Sequence, residues 1–419
     1  MIFLLTDIVT AKPNNSYFQD HMTVRGYSEF RFTYSDINGT PWQSVQRIRP
    51  MVKWHMTDRV NLVLTPEAIL TQGRYEKGEF YSLLEGPIEE IFVDKTLDDI
   101  DEECDWNLER ERQITEVQDV LSTQRLYLDI NMRYVDFRLG RQAVNWGSAL
   151  FFNPTDVLAE NLISSPWQER SGVNAIRSTV PISEEGQIIS IIATDNEFDS
   201  WKLSVKGGGN VATTDIYAVG FVDENRNLIG FDIKGDAIVG YWAEGAYSYD
   251  RKDGFDSGNL NLSVGTDYSV PLWEQILFVG QITYDSSGEV DPKYYNWAAR
   301  QNPELTIPPC DAYESIIPAP PNEYRQTLGR WYGLLAVHAP VHSNITLSTT
   351  SLFNLNDGTG LIFPSISAEM GDRWQVHAGG QFLLGENGEF KPQIQNTSGV
   401  DFTSLIPSKT VLAWARWSL

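Results

Sequence analysis

The chain has 419 residues, a formal net charge of −24 and 12% aromatic residues, including thirteen Trp and eighteen Tyr. This length allows two or three soluble domains or one large barrel, and the negative charge disfavours a nucleic-acid partner because the phosphates would be repelled. No stretch approaches the roughly eighteen consecutive apolar residues of a transmembrane helix, so the sequence excludes that class of membrane protein.

Residues 1–20 are the first predicted element, an N-terminal segment outside the main domain. The start of the chain lacks the basic region of a signal peptide. We therefore interpret this segment as the remnant of a trimmed export signal or as a periplasmic tail, and we assign residues 21–419 to a single domain.

Strict alternation of apolar and polar residues dominates that domain. In 47–56, for example, Ile48 and Val52 alternate with Arg47, Arg49 and Lys53. Successive side chains of a strand point to opposite faces, so each such run has one apolar face and one charged face. About eighteen strands of this type are predicted, and sixteen is the alternative because several central runs are short and rich in glycine. They lie at 21–34, 46–56, 59–71, 122–133, 135–144, 173–182, 187–195, 200–207, 213–222, 228–235, 239–249, 259–271, 275–285, 327–339, 344–354, 361–370, 373–384 and 409–419.

The connections between these strands alternate in length. Long ones follow odd-numbered strands, at 74–118, 145–172, 286–325 and 385–408, whereas short turns such as Thr57-Asp58 follow even-numbered strands. A transmembrane antiparallel up-and-down β-barrel has long outer loops and tight periplasmic turns. A soluble glycan-binding sandwich or a propeller would share the aromatic composition, but it has no reason to place every long loop on one parity.

A short motif carries a family resemblance. Gly140-Arg141-Gln142 is followed by Trp146-Gly147, Asn153-Pro154 and Asp156, and this run resembles porin-like outer-membrane proteins of Gram-negative bacteria. The last strand, with Val411 to Leu419 alternating, resembles the assembly signal of such barrels, although the usual terminal residue is Phe. The resemblance implies a barrel that passes small solutes and does not identify the solute.

Gly140 interrupts the alternation, because Arg141 would fall on the apolar face of an unbroken strand. A β-bulge at Gly140 would return Arg141 to the polar face. The alternative is an ordinary strand end with an arginine that extends towards water.

The polar faces predict a lumen with more basic than acidic residues. The predicted basic wall comprises Arg25, Arg31, Arg47, Arg49, Lys53, Arg125, Arg133, Arg138, Arg330 and Arg373, with Lys202, Lys206, Lys234, Arg416, His55, His338 and His377 on the same faces. The predicted acidic set comprises Glu29, Asp129, Asp136, Asp232, Glu244, Asp267 and Glu369. Many of these charges will simply pair, but the cluster from Arg25 to Lys53 on two neighbouring strands needs counter-ions, acidic loop residues or an anionic solute.

An inward loop is the second predicted feature of the lumen. Loop 74–118 is strongly acidic, and part of it or of 145–172 could fold inward and face the basic wall, so that a transverse field selects solutes by charge. The candidate constriction residues are Asp98, Asp99, Asp101, Glu102, Glu103, Asn153 and Asp156. Alternatively, the acidic loop stays outside and binds divalent cations that bridge lipid head groups.

The remaining motifs predict little chemistry. Cys104 and Cys310 both fall in long outer loops and could form one disulfide. They fit no metal spacing, and His338 and His342 flank Pro340 in a strand and turn rather than a helix. Hydrolase, zinc-protease and phosphate-loop motifs are missing from the sequence, so we predict neither an enzyme, a cofactor nor a metal site.

Together these patterns predict an outer-membrane channel of a Gram-negative bacterium for passive diffusion of small polar or anionic solutes. Its predicted partners are outer-membrane lipid and lipopolysaccharide, the permeating solutes, and either other copies in a homotrimer or a partner inside the lumen. The alternatives are a specific uptake channel for hydrophobic or aromatic compounds, a sleeve around a partner such as an electron conduit, and a soluble glycan-binding protein.

Overall fold

A computed structural model of the chain describes residues 21–35, 42–76, 112–158, 172–195, 198–272, 275–295, 327–386, 388–390 and 409–418. These residues form eighteen antiparallel strands. The strands are β1 (Met22–Ser35), β2 (Trp42–Thr57), β3 (Val60–Glu76), β4 (Arg112–Asn131), β5 (Asp136–Gln142), β6 (Val173–Pro181), β7 (Gly186–Thr194), β8 (Trp201–Val211), β9 (Thr214–Val222), β10 (Arg226–Asp236), β11 (Gly240–Asp250), β12 (Asn259–Val270), β13 (Ile276–Asp285), β14 (Trp331–His342), β15 (Ile345–Asn354), β16 (Gly360–Met370), β17 (Trp374–Leu384) and β18 (Lys409–Ser418).

Each strand pairs with its neighbours in sequence, and β1 also pairs with β18, from Tyr27 opposite Ser418 to Ser35 opposite Thr410. The sheet therefore closes on itself and has no free edge. The predicted eighteen-stranded, all-β barrel is confirmed. Within the described residues, helical structure that is long and apolar enough to cross a membrane is lacking.

Strand boundaries differ from the prediction mainly around the first long connection. β3 continues to Glu76 and β4 begins at Arg112, and these two residues pair with each other. Residues 112–118, which the pattern placed in a loop, therefore extend a long hairpin. They were missed because this part of β4 is too polar to show the alternation.

The outer surface of the barrel carries the apolar stripes. Val264 on β12 pairs with Ile282 on β13, and their side chains are 60% and 55% exposed. The residues that precede them, Ser263 and Gln281, are buried on the opposite face. This is the period-two pattern of a strand with an apolar outer face.

Gly140 is a point of close approach between strands. Its φ is +117°, and a Cβ there would lie 2.3 Å from the carbonyl oxygen of Leu126 on β4. The pairing of β5 with β4 and with β6 shows no register shift at this residue. Gly140 thus provides room for the neighbouring backbone, and the suggested bulge is not present.

Candidate functional site

The connection after β5 crosses to the far side of the barrel. We call residues 143–158 the inner segment. They hydrogen-bond side chains of β11, β12 and β13, which lie six to eight strands away from β5 around the ring. Those side chains belong to the buried face, opposite the exposed apolar stripes, so the segment lies against the inside of the barrel wall.

Glu244 on β11 makes the densest set of contacts with the inner segment. Its Oε2 accepts the backbone N–H groups of Ser148 and Ala149, each at 2.9 Å. Its Oε1 accepts the N–H and the hydroxyl of Thr155, each at 2.7 Å. Only 1% of Glu244 is exposed, and hydrogen bonds of this kind are what a buried carboxylate needs.

The next two strands bind the middle of the inner segment. The amide of Gln281 on β13 accepts the N–H of Leu150 at 2.8 Å and donates to its carbonyl at 2.7 Å. The hydroxyl of Ser263 on β12 donates to the carbonyl of Phe152 at 3.0 Å. Trp242 fixes the Gln281 amide from the side, with its indole N–H 3.0 Å from Oε1.

Asn153 and Asp156, two predicted constriction residues, shape the turn of the inner segment. The N–H of Asp156 bonds the carbonyl and the side-chain oxygen of Asn153, at 3.2 and 3.1 Å. Both residues are more than nine-tenths buried. The Asn-Pro-Thr-Asp motif therefore forms a compact turn that presents Thr155 to Glu244.

Two apolar clusters flank the inner segment. In the first, Val144, Trp146 and Leu158 pack against the inward residues of β6, β7 and β9 to β11. In the second, Phe151 and Phe152 pack against β14 to β16 and Phe390. The Phe152 and Tyr332 rings lie 4.8 Å apart. Both clusters consist of buried side chains. They therefore fill the interior of the barrel next to β6–β11 and β14–β16 and exclude water there.

Strands β18 and β1–β3, across the barrel from β11–β13, carry a network of five charged residues. Arg416 on β18 donates to Glu29 on β1 at 2.7 Å, and Glu29 lies 3.6 Å from Arg47 on β2. Arg47 lies 3.0 Å from Glu67 on β3, which also binds Arg49 through Nε at 2.9 Å. This charge network alternates in sign across four strands, and with three arginines and two glutamates it keeps a net positive charge.

Two further ion pairs lie on the inner face. Arg138 on β5 binds Asp129 on β4 through two bonds, of 2.6 and 3.1 Å. Lys206 on β8 binds Asp232 on β10 at 2.6 Å. Asp232 pairs with Glu244 across β10 and β11, so Lys206 offsets one of two adjacent carboxylates.

Arg25 and Lys53 line a cavity of about 220 Å³ near the short-turn end of β1 and β2, together with Thr23, Met51 and His55. Arg31 is a buried residue of β1. Arg125 donates to the carbonyl of Gln124 at 2.9 Å. This part of the predicted basic wall therefore spans β1, β2 and β4.

Other predicted residues lie at the ends of strands. Arg133 stacks on Tyr134 in the β4–β5 turn, and Arg330 donates to the carbonyl of Gly288 just before β14. Four more occupy the last or first residues of β5, β12 and β16 and the β16–β17 turn: Asp136, Asp267, Glu369 and Arg373. The other predicted residues lie within β8, β10, β14 and β17: Lys202, Lys234, His338 and His377.

Several predicted residues lie outside the described residues. These are the acidic candidates Asp98, Asp99, Asp101, Glu102 and Glu103, and both cysteines, Cys104 and Cys310. In the part of the chain that is described, no group of three or more His, Cys, Asp or Glu residues could hold a metal ion.

Sequence reasoning missed Glu67, the most deeply buried member of the charge network at 1% exposure. The sequence does indicate an inward Glu67. Glu67 lies at an odd position of its strand, like Asn61 and Thr65, whereas the apolar Leu62 and Leu64 lie at even positions and therefore on the other face. Gln281 was missed because a single neutral amide in a strand does not indicate an interior contact.

A second buried glutamate organises the outer ends of β14 and β15. Glu389 accepts the N–H of Leu328, the side-chain amide of Asn354 and the hydroxyl of Tyr332. Asn354 also bonds the hydroxyl of Tyr295 at 2.8 Å. Burial raises the pKa of Tyr295 above its ordinary value, and the nearby carboxylate of Asp357 adds to the shift. We call these residues the outer junction.

Comparison with known proteins identifies structural relatives only. No family model matches the chain, and no curated protein matches it in sequence. Pseudomonas aeruginosa OccK5 (OpdH) superposes with a TM-score of 0.54 at 8% identity, over 96% of this chain and 98% of that one. Pseudomonas aeruginosa OccK11 (OpdR) gives 0.52 at 7% identity, over 96% and 97%. Acinetobacter baumannii OccAB1 gives 0.51 at 6% identity, over 96% and 97%. The chain therefore shares the barrel fold of these three proteins along nearly its whole length.

Proposed function

We propose that the protein is an outer-membrane channel of a Gram-negative bacterium through which small polar or anionic solutes diffuse passively. The observation that carries the proposal is the uneven filling of the barrel. The inner segment and its apolar clusters occupy the interior along β6–β11 and β14–β16, while the charge network lines β18 and β1–β3. A solute path would then run beside the cationic wall.

The outer surface supports a membrane location. Apolar side chains such as Ile176, Ile192, Ile229 and Leu335 are each more than half exposed. A continuous band of such residues on a closed barrel suits contact with acyl chains. The closed barrel that the chain shares with OccK5 (OpdH) and OccAB1 is consistent with this location, because closed barrels and helices are the structures that can span a membrane.

The charges of the wall favour anions over cations. The charge network has one more arginine than glutamate, and Arg25 and Lys53 add positive charge nearby. Fixed charges in a narrow aqueous path raise the local concentration of ions of opposite sign. A wide sleeve around a partner protein is disfavoured, because the inner segment already crosses the interior.

Reconstitution into planar lipid bilayers tests the proposal. We expect discrete single-channel currents and, in a salt gradient, a reversal potential that indicates anion preference. The triple variant Arg47→Gln, Arg49→Gln, Lys53→Gln should shift that potential towards cations. A folded protein that gives no currents would exclude the channel, and an unchanged reversal potential would exclude the role of the basic wall.

A further inference from the structure

We infer that Glu244 is the positioning residue that keeps the inner segment docked and thereby sets the width of the solute path. This inference rests on the proposed channel function and extends it to a named residue. It assigns to a glutamate far from the charge network a role in permeation that does not involve contact with the solute.

The geometry shows that Glu244 is built to bind this segment. Both carboxylate oxygens are used, one on Ser148 and Ala149 and the other on Thr155. Five residues of chain, 150–154, separate the two sites of contact, so one side chain joins the two limbs of the segment. Among the described residues, Glu244 has no cation as a partner, so the segment provides its compensation.

A carboxylate is the group that this arrangement requires. An ionised carboxylate only accepts hydrogen bonds, whereas an amide has one accepting oxygen and an NH₂ group that donates. A glutamine at position 244 would turn two donors towards the N–H groups of Ser148 and Ala149 or towards Thr155. The change keeps the size of the side chain and removes half of the docking contacts.

Gly147 is the complementary feature of the segment. Its φ is +92°, and a Cβ at this residue would come within 2.6 Å of Oε2 of Glu244 and 2.4 Å of Oδ1 of Asn153. Alanine would therefore separate the segment from the wall while Glu244 remains intact. This second substitution tests the same contact from the opposite side.

Undocking would change both the width and the charge of the path. The carboxylate of Glu244 would become accessible next to Asp232, its cross-strand neighbour. Undocking would also expose the apolar residues of the first cluster, including Trp146 and Ile191, to water. Because that exposure is unfavourable, the docked state is strongly favoured in the native chain.

The experiment compares the native protein with Glu244→Gln and Gly147→Ala in single-channel recordings and in hydrogen–deuterium exchange of the folded protein. Losing one hydrogen bond to a charged group shifts an equilibrium by about tenfold or more. We therefore expect at least about a tenfold rise in the time spent at a larger conductance and in the exchange rates of the amides of Ser148, Ala149 and Thr155.

Glu184→Gln is the matched control, because it makes the same chemical change on the exposed β6–β7 turn and should change neither reading. Native currents and exchange rates in both test variants would overturn the inference. Faster exchange with unchanged conductance would overturn the link to path width. If the native protein conducts no ions, the channel proposal fails, while the exchange rates still decide whether Glu244 holds the segment.

Discussion

The guanidinium of Arg49 donates to the Glu67 carboxylate from both Nε and Nη2, and both side chains are more than nine-tenths buried. Arg47 and Gln124 bind the same carboxylate, at 3.0 and 2.7 Å. One glutamate thus holds two arginines of the predicted basic wall in fixed positions. The wall has counter-ions of its own on β1 and β3, independently of the acidic loop.

Replacing Glu67 with Gln should make the channel more selective for anions and the barrel less stable. The change leaves two arginines without their shared partner, and breaking a buried ion pair costs about 3–5 kcal/mol. Part of that cost will be relieved by water in the lumen. Reversal potentials and thermal unfolding in detergent would measure the two effects, and a shift towards cations would contradict the assigned role of Glu67.

Gly140→Ala should destabilise the barrel, whereas Gly280→Ala should not. At Gly140 the new Cβ meets the carbonyl oxygen of Leu126 at 2.3 Å and the φ is positive, while a Cβ at Gly280 has nothing within 4 Å. Backbone strain of this kind costs about 1–3 kcal/mol. Unfolding temperatures of the two variants provide the comparison, and equal values would show that close approach at Gly140 is unimportant.

Tyr332→Phe should weaken the outer junction and leave the path unchanged. The substitution removes the hydroxyl that donates to Glu389 and keeps the ring that contacts Phe152. A buried acceptor that loses its donor costs about 1–3 kcal/mol. We expect a lower unfolding temperature together with native single-channel conductance. A large conductance change would mean that the outer junction and the inner segment are coupled.

The outer junction should lose stability in alkali because of Tyr295. The pKa of its hydroxyl is raised in the folded protein above the ordinary value of 10.0, so the folded state favours the neutral phenol. The free energy of unfolding that Tyr295 contributes is fully present below pH 10. It decreases as the pH rises above that value, because the unfolded chain then releases the phenol proton more easily than the folded protein does. Unfolding measured against pH should show this loss, and Tyr295→Phe should reduce it. An identical alkaline profile in the variant would assign the effect to other groups.

The strand pattern was predictable because alternation is a local property. The reach of the inner segment was not, since nothing in residues 143–158 specifies contact with strands six to eight places away. One indirect signal existed in β7, where Ile188, Ile189, Ile191 and Ile192 interrupt the alternation. Ile191 is fully buried while Ile192 is 51% exposed, so both faces of β7 are apolar, and the inner segment covers one of them.

The charged residues show the same division between local and distant information. Parity placed Glu29, Arg47 and Arg49 on one face, but the partners of each arginine depend on strand register, which only the closed barrel fixes. The sequence pattern predicts counter-ions in the acidic loop, because that loop concentrates charge. The counter-ions in the structure are single residues, Glu29 and Glu67, on strands rich in apolar residues.

The pairing of β1 with β18 has a consequence for assembly. Glu29 and Arg416 are separated by 387 positions in sequence, and they meet only when the ring shuts. In an unclosed sheet, Glu29 would therefore lie near Arg47 at one edge, and Arg416 would lie at the other edge without Glu29. Attraction between these two edges would help to bring the first and last strands together. The charges on the inner face would therefore also favour closure of the barrel.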